Sequence, residues 1–442
     1  MKFKSFALTV FSVCAAVACG TQAARAASLS VVADQLNNPR NFDWDSQGNI
    51  YLAESGSGGD GNGGVNCIPS PSAGYIPLCS GNTGAVVKIA PDGTKTTVLS
   101  NLPSLALSPS GEQGAGPADF KFDSKGNAYV LYGLAGDPNL RDTKLGSPDL
   151  GQLYKLDLGT GSLTSLADFA KYEATFNPDG SDVINNPYGF TIKGDKAYVV
   201  DGGSNVIYRV GLDGSGIEQV AALPTKLLDP STLQYPTLPE GLTEEALQFN
   251  PNAQSVPTGI AVAPDGSLTL SEYTAFPYPE GKARIYSVNP DDLSIKTIAD
   301  GFTQLTGVTY DSEGNLYALQ HINQSEWKAI EQGGNIIGDI SGSIIKIAKD
   351  GTRETIISGN GLEAASGLFF GPDGNLYTSN RARLAPGERG GQLVKIALNS
   401  GGGATKVPEP ASVVAVLATA ALGAKAMKRK RQEQLLAKVE SI

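Results

Sequence analysis

The feature that most constrains the fold is a short pattern that occurs six times along the chain. Each copy predicts a strand, a tight polar turn and a second strand, usually with a tyrosine near its start. The six copies of the turn and second strand lie at 45–51, 123–129, 193–198, 264–269, 311–317 and 372–377. A third strand, with one basic or polar residue among apolar ones, follows each copy. Repeats of four short antiparallel strands predict an all-β, six-bladed β-propeller.

The last repeat stops after its third strand, near Leu398. The apolar stretch Ser28–Ala33 is a candidate for the missing fourth strand, so we expect a propeller over 27–399 that is closed by its N-terminal strand. Such closure leaves no sheet edge open. The 54 glycines and the charged content of only 18% fit a turn-rich all-β chain.

Residues 1–26 resemble a secretory signal peptide, with basic residues before an apolar run and Ala24-Arg25-Ala26 before the cleavage point. A lipoprotein anchored at Cys19 is the alternative. Export would leave Cys67 and Cys79 as the only pair, and an exported pair favours a disulfide over a metal site.

The two faces of the predicted propeller differ in the length of their loops. Turns between the first and second strands of each blade are short, whereas several connections between second and third strands are long. The long ones are 55–83, 133–150, 273–282, 321–341 and 381–390. We therefore expect the binding surface on this face, which we call the long-loop face.

A ring of polar residues is predicted where the second strands end. It comprises Glu54, Tyr132, Asp201, Glu272, Gln320 and Asn380. The carboxylates Glu54, Asp201 and Glu272, with the amides Gln320 and Asn380, would suit a divalent cation such as Ca²⁺ at the channel mouth. The competing interpretation is that each residue only satisfies loop backbone. Further channel residues are expected at the starts of the first strands, namely Arg40, Asp119, Tyr188, Thr258, Thr306 and Ser366.

Catalytic signals are sparse. His321 is the single histidine, and it is a weak candidate for a catalytic base because no second histidine or nucleophile motif accompanies it. Arg381 and Arg383 could bind an anionic or aromatic ligand, or could form ordinary salt bridges. The net charge of −10 is unfavourable for binding nucleic acid.

The C-terminal region carries a recognisable pattern. A glycine-rich linker is predicted at 400–406, and Val407-Pro408-Glu409-Pro410, an apolar run and a basic cluster follow over 407–431, before a tail at 432–442. This pattern resembles a PEP-CTERM sorting signal. The resemblance implies export, transient anchoring in the inner membrane and processing by an exosortase, with a final location in the periplasm, at the cell surface or in the extracellular matrix.

The body resembles the ScyD/ScyE proteins, which are exported cyanobacterial propellers of the NHL-like and TolB-like kind. The resemblance lies in Leu36–Phe42, the glycine-rich stretch after Ala53, and Thr83–Val86. It implies an exported propeller. Because catalytic side chains are sparse and one face carries the long loops, we expect the protein to bind a small molecule, glycan or protein on its long-loop face. One alternative is a metal- or quinone-dependent oxidoreductase or hydrolase acting on an aromatic precursor, as in scytonemin assembly; another is a structural component of the matrix.

Overall fold

A computed structural model describes residues 27–72, 76–227, 252–275, 278–326, 330–332, 335–387 and 389–398. The predicted signal peptide, linker, sorting segment and tail lie outside these residues. The described strands form six blades around a common centre, so the prediction of an all-β six-bladed propeller is confirmed.

The strands are numbered in chain order, and the first belongs to the last blade. That strand is β1 (Ser28–Leu36). Blade 1 contains β2 (Pro39–Trp44), β3 (Ile50–Glu54), β4 (Cys67–Pro69), β5 (Pro77–Ile89), β6 (Lys95–Leu107) and β7 (Glu112–Ala115). Blade 2 contains β8 (Pro117–Phe122), β9 (Ala128–Tyr132), β10 (Gln152–Leu156) and β11 (Leu163–Asp168). Blade 3 contains β12 (Pro187–Lys193), β13 (Lys196–Asp201), β14 (Val206–Gly211) and β15 (Ile217–Ala222).

The other three blades follow the same plan. A two-stranded hairpin, β16 (Lys226–Leu227) and β17 (Asn252–Ala253), comes before blade 4. Blade 4 contains β18 (Pro257–Val262), β19 (Leu268–Glu272), β20 (Ala283–Val288) and β21 (Ile295–Phe302). Blade 5 contains β22 (Leu305–Tyr310), β23 (Leu316–Gln320), β26 (Ser341–Ile347) and β27 (Arg353–Glu363), with the hairpin β24 (Ile330–Gln332) and β25 (Asn335–Ile337) in its long loop. Blade 6 contains β28 (Ser366–Phe370), β29 (Leu376–Asn380), β30 (Gly391–Ala397) and β1.

The N-terminal strand closes the ring as the sequence predicts. Strand β1 pairs antiparallel with β30, with Ser28 opposite Ala397 and Leu29 opposite Ile396. Blades 6 and 1 then pack through aromatic side chains, since the rings of Phe42 and Phe369 meet edge to face with centroids 4.9 Å apart. Closure therefore joins the two ends of the described chain through both backbone pairing and core packing.

The repeated polar turn has a clear physical origin. In the turn after β2, Asp45 Oδ1 accepts the backbone N–H groups of Gln47 and Asn49, while Oδ2 accepts from Asn49 Nδ2. Gly48 adopts a φ of 81°, a left-handed conformation that favours glycine. The aspartate, glycine and asparagine of this motif thus build a self-contained turn.

Apolar residues of adjacent blades form the core. Between blades 2 and 3, for example, Tyr129 and Leu131 pack with Phe190 and Val199. Near the central axis the blades approach so closely that a Cβ atom on Gly259 would lie 2.7 Å from Gly307 Cα. Glycine at these positions lets the first strands converge.

Helical structure within the described residues is limited to short segments. The structure describes the α-helix α1 (Phe169–Phe176) and the 3₁₀-helix Pro138–Leu140, both near blade 2. Within the described ranges, no helix is long and apolar enough to cross a membrane. Cys67 and Cys79 form a disulfide that joins β4 to β5 in the first long loop.

Candidate functional site

A cavity of ≈ 450 Å³ opens on the long-loop face, at the mouth of the central channel. The starts of the first strands supply Arg40, Tyr188, Thr258 and Thr306 to its lining, and the long loops supply Tyr273, Tyr278, His321, Glu326 and Arg383. Cavities of this size commonly hold small organic molecules in proteins. The cavity lies on the face where the sequence predicts binding, and binding there stays a prediction.

The channel below this cavity is nearly closed. A pocket of only ≈ 10 Å³ is lined by Asn41, Asp119 and glycines of the first strands. Asp119 is buried and accepts hydrogen bonds from Lys121 Nζ at 2.8 Å and from the backbone N–H of Phe190 at 2.9 Å. In blade 2, Ala118 lines the upper cavity and occupies the position that Arg40 has in blade 1. Asp119 follows Ala118 and therefore lies one position deeper in the channel. Asp119 therefore holds blades together below the candidate site.

His321 follows strand β23 and is only 2% exposed. Its Nδ1 lies 2.8 Å from the carbonyl oxygen of Ala365. A carbonyl can only accept, so Nδ1 carries the proton and Nε2 is an acceptor in the neutral ring. Burial, together with the nearby Arg383 guanidinium, lowers the pKa of His321 to about 4. The imidazole is therefore uncharged at neutral pH.

Glu326 and Arg383 form a buried ion pair beside this histidine. The Arg383 Nη1 atom donates to Glu326 Oε1, and the Tyr273 hydroxyl donates to Glu326 Oε2 at 2.9 Å. Burial opposes ionisation of Glu326, but Arg383 and the other donors outweigh it and hold its pKa below the ordinary value. Tyr273 also packs edge-on against His321, with ring centroids 5.6 Å apart. The four residues form one connected cluster.

Arg40 is the second cation of the cavity, and it has a different environment. Its Nη2 donates to the carbonyl oxygen of Gly114 at 2.6 Å and its Nε to Ser55 Oγ at 3.3 Å. The guanidinium lies 5.7 Å from the centre of the Tyr188 ring. Among the described side chains, no carboxylate lies within salt-bridge distance of it. Arg40 thus lines the cavity without a carboxylate partner among the described residues.

Backbone strain is concentrated in the same cavity wall. Val256, Thr274 and Tyr278 all line the cavity, with φ values of 49°, 77° and 53°. The left-handed region is unfavourable for β-branched and bulky residues, and strain of this kind is common near ligand sites.

The predicted polar ring has a shared backbone role in the structure. At the end of a second strand, each of four side chains accepts an N–H from the segment before the first strand of its blade. The pairs are Glu54 with Asn37 at 2.9 Å, Asp201 with Asn186 at 2.7 Å, Gln320 with Thr303 at 2.8 Å and Asn380 with Glu363 at 2.7 Å. These contacts match the competing interpretation of the ring.

The remaining ring members are also engaged elsewhere. Glu272 accepts from the Arg284 side chain at 2.7 Å. Tyr132 is fully buried and packs against Tyr154, which differs from the predicted position at the channel mouth. In the described ranges, no group of three or more histidine, cysteine, aspartate or glutamate side chains could hold a metal ion. A Ca²⁺ site in the chain stays a prediction.

The reason for the difference is the two-residue period of a strand. At the ends of the second strands, the residues that line the cavity come one position after the predicted ring. They are Ser55, Gly133, Gly202, Tyr273 and His321. Of the two loop arginines, Arg383 enters the cavity cluster, whereas Arg381 donates to Glu363 Oε2 at 2.8 Å. The pairing of Glu326 with Arg383 joins two distant loops, and no local sequence signal indicated it.

The chain is similar in fold to several solved structures. A gluconolactonase from Xanthomonas campestris is 14% identical, with 85% of this chain and 92% of that chain covered and a TM-score of 0.44. Virginiamycin B lyase from Staphylococcus aureus is 12% identical, with 84% and 99% covered and a TM-score of 0.41. A luciferin-regenerating enzyme is 12% identical, with 85% and 96% covered and a TM-score of 0.45.

No family model matches the chain, and no curated protein matches its sequence. At the identities and TM-scores of the solved structures, the similarities carry no argument about substrate or reaction. The assignment of the fold therefore rests on the strand topology of the chain itself.

Proposed function

We propose that this chain is a ligand-binding β-propeller that takes a small aromatic anion in the long-loop cavity. The observation that carries the proposal is Arg40, a half-buried guanidinium that faces the cavity without a carboxylate partner among the described residues. A cation that is partly removed from water attracts an anionic group.

The aromatic part of the proposal comes from the cavity wall. The rings of Tyr188, Tyr273 and Tyr278 all line it, and Tyr188 lies beside the guanidinium. Aromatic side chains favour flat, apolar ligand groups. The other cavity arginine, Arg383, is neutralised by Glu326, so Arg40 supplies the charge for the ligand.

Binding of 2-naphthoate tests the proposal, because the probe is an aromatic carboxylate whose fluorescence reports binding. We expect the wild-type protein to bind 2-naphthoate about tenfold or more tightly than the neutral 2-naphthamide. The Arg40→Met variant should lose that preference. Arg353, whose guanidinium lies 4.4 Å from the Phe302 ring away from the cavity, gives the control variant Arg353→Met. Equal binding of acid and amide by the wild type would contradict the proposal.

An enzymatic role is the alternative, as a metal- or quinone-dependent oxidoreductase or hydrolase. His321 is the histidine of the cavity and the candidate base that the sequence offers, beside the carboxylates of Asp182 and Glu326. A group with a pKa of about 4 is a poor general base near neutral pH, where it has little affinity for a proton. We therefore favour binding over catalysis.

Export and sorting form a separate part of the proposal. The resemblance to ScyD/ScyE proteins and to PEP-CTERM signals supports a location outside the cytoplasm, with an exosortase as processing partner. The predicted signal peptide, 1–26, and the predicted sorting segment, 407–431, lie outside the described residues. Cell fractionation of the full chain and of a variant lacking 407–442 tests this: the full chain should be membrane-associated before processing, and the shortened chain should not.

A further inference from the structure

We infer that the ligand of the long-loop cavity also carries a hydrogen-bond donor, a hydroxyl or an N–H group, which binds His321 Nε2. The inference rests on the proposed function, since it concerns the same cavity. It adds a second recognition element to the charge of Arg40.

The imidazole of His321 has a defined tautomer. The carbonyl oxygen of Ala365 fixes the proton on Nδ1, and it also accepts from Thr306 Oγ1 at 2.8 Å, which holds that carbonyl in place. The lone pair of Nε2 is therefore available at the opposite edge of the ring.

The Nε2 atom of His321 is buried, and no described residue forms a hydrogen bond with it. Buried polar atoms are almost always hydrogen-bonded in native proteins, so an exception calls for an explanation. Because His321 lines the cavity, a ligand in the cavity can supply the missing donor.

A second polar atom of the cavity wall is in the same condition. Thr274 lines the cavity and is 1% exposed, and its Oγ1 atom has no hydrogen-bond partner among the described residues. A hydroxyl both donates and accepts, so it can complete the hydrogen bonding of a ligand hydroxyl that donates to Nε2. The backbone N–H of Thr274 is bonded to the carbonyl oxygen of Ser255 at 3.2 Å, which fixes the loop.

These atoms give the ligand a defined chemistry. Its anionic group lies against Arg40, its aromatic body lies among the tyrosines, and its donor group reaches His321 and Thr274. A site with buried acceptors discriminates strongly against an analogue that lacks the donor, because that analogue leaves the acceptors unpaired. A ligand whose hydroxyl is methylated cannot donate, so it should bind more weakly for the same reason.

The experiment compares 2-naphthoate with its hydroxy and methoxy derivatives, each tried at several ring positions. In the wild-type protein, at least one hydroxy-2-naphthoate should bind about tenfold or more tightly than 2-naphthoate. The matching methoxy compound should show no such gain. In His321→Phe the gain should vanish, because the acceptor Nε2 is gone.

Two further variants test the same site without changing His321, in case His321→Phe does not fold correctly. Thr274→Val removes the hydroxyl but keeps the shape and leaves the contacts of His321 in place, and it should lose part of the gain. Thr274→Ser keeps the hydroxyl and should retain it. Circular dichroism of each variant checks that the fold is intact.

The outcomes separate the inference from the proposed function. If hydroxy, methoxy and parent acids bind alike, or if the gain survives in His321→Phe, the inference is overturned while anion binding at Arg40 stands. If the wild-type protein binds none of the acids, the proposed function has failed and the inference falls with it.

Discussion

The imidazole of His321 donates from Nδ1 to the carbonyl oxygen of Ala365, 2.8 Å away, and so joins blade 5 to blade 6 at the rim of the cavity. His321 follows the second strand of one blade, and Ala365 precedes the first strand of the next. The same residue thus contributes to the contact between blades and to the lining of the candidate site.

The titration of His321 is the first prediction. Because burial and Arg383 lower its pKa to about 4, the imidazole should remain neutral from pH 8 down to about pH 5. The folded state then binds fewer protons than the unfolded state below pH 6.5. The neutral imidazole therefore makes its full contribution to the free energy of unfolding above pH 6.5. That contribution, about 3 kcal/mol, is lost as the pH falls towards 4.

The chain has a single histidine, so its NMR signals need no assignment by mutagenesis. The imidazole shifts should be constant between pH 5 and 8. A titration with a midpoint near 6.5 would show that the ring is solvated in the folded protein and would contradict the prediction.

The buried ion pair between Glu326 and Arg383 gives the second prediction. The replacement Arg383→Met leaves the carboxylate buried without its cation, which should lower the free energy of unfolding by about 3–5 kcal/mol. The control is Arg381→Met, since the pair of Arg381 with Glu363 is more exposed and should contribute about 1 kcal/mol or less. Urea denaturation measures both; similar losses in the two variants would argue against a buried pair.

The architecture could be predicted from the sequence because its signal repeats. Six copies of one turn indicated the number of blades, and the unfinished last repeat indicated closure by Ser28–Ala33, which lies within the observed strand β1. The residues of the candidate site were harder to predict from the sequence. It depends on which of two adjacent residues, such as Gln320 and His321, faces the cavity at the end of a strand, and a shift of one position reverses the answer.

Contacts between loops far apart in the sequence were the hardest part of the site to predict. Glu326 and Arg383 belong to loops of the adjacent blades 5 and 6, and they meet only when these blades pack together. The left-handed conformation of Thr274 had no sequence signal either, because β-branched residues rarely adopt it.

The role of Glu54 gives the third prediction. Its Oε1 accepts the backbone N–H of Asn37, an interaction that glutamine can reproduce and alanine cannot. Burial also raises the pKa of Glu54, so a neutral amide should be well tolerated. We expect Glu54→Gln to change the free energy of unfolding by less than about 1 kcal/mol and Glu54→Ala to lower it by about 1–3 kcal/mol.

Glu54 is also one of the predicted Ca²⁺ ligands, and the calcium hypothesis can be tested directly. Elemental mass spectrometry of the purified propeller, beside a Glu54→Gln/Asp201→Asn/Glu272→Gln variant, measures bound metal directly. If these residues act only on the backbone and on Arg284, metal content should not differ between the two proteins. Stoichiometric Ca²⁺ in the wild type that the variant loses would instead establish the ring as a cation site.

The buried acid of helix α1 gives the last prediction. Glu173 is 0% exposed, and neither carboxyl oxygen has a hydrogen-bond partner among the described residues. Burial, followed by the charges of Asp201 and Asp179, raises its pKa to about 8. The folded state therefore holds a proton that the unfolded state releases above pH 4.5, so stability falls as the pH rises from 4.5 to 8.

A neutral amide of the same shape removes this penalty. Glu173→Gln should raise the free energy of unfolding at pH 9 by about 1–3 kcal/mol and should change it little at pH 4, where the acid is already protonated. Glu218→Gln is the control, because Glu218 is exposed and accepts from Arg209 Nε at 2.8 Å, so it should gain no stability from neutralisation. Urea denaturation at the two pH values measures the difference, and a stabilisation by Glu173→Gln that is equal at pH 4 and pH 9 would show that charge is not its cause.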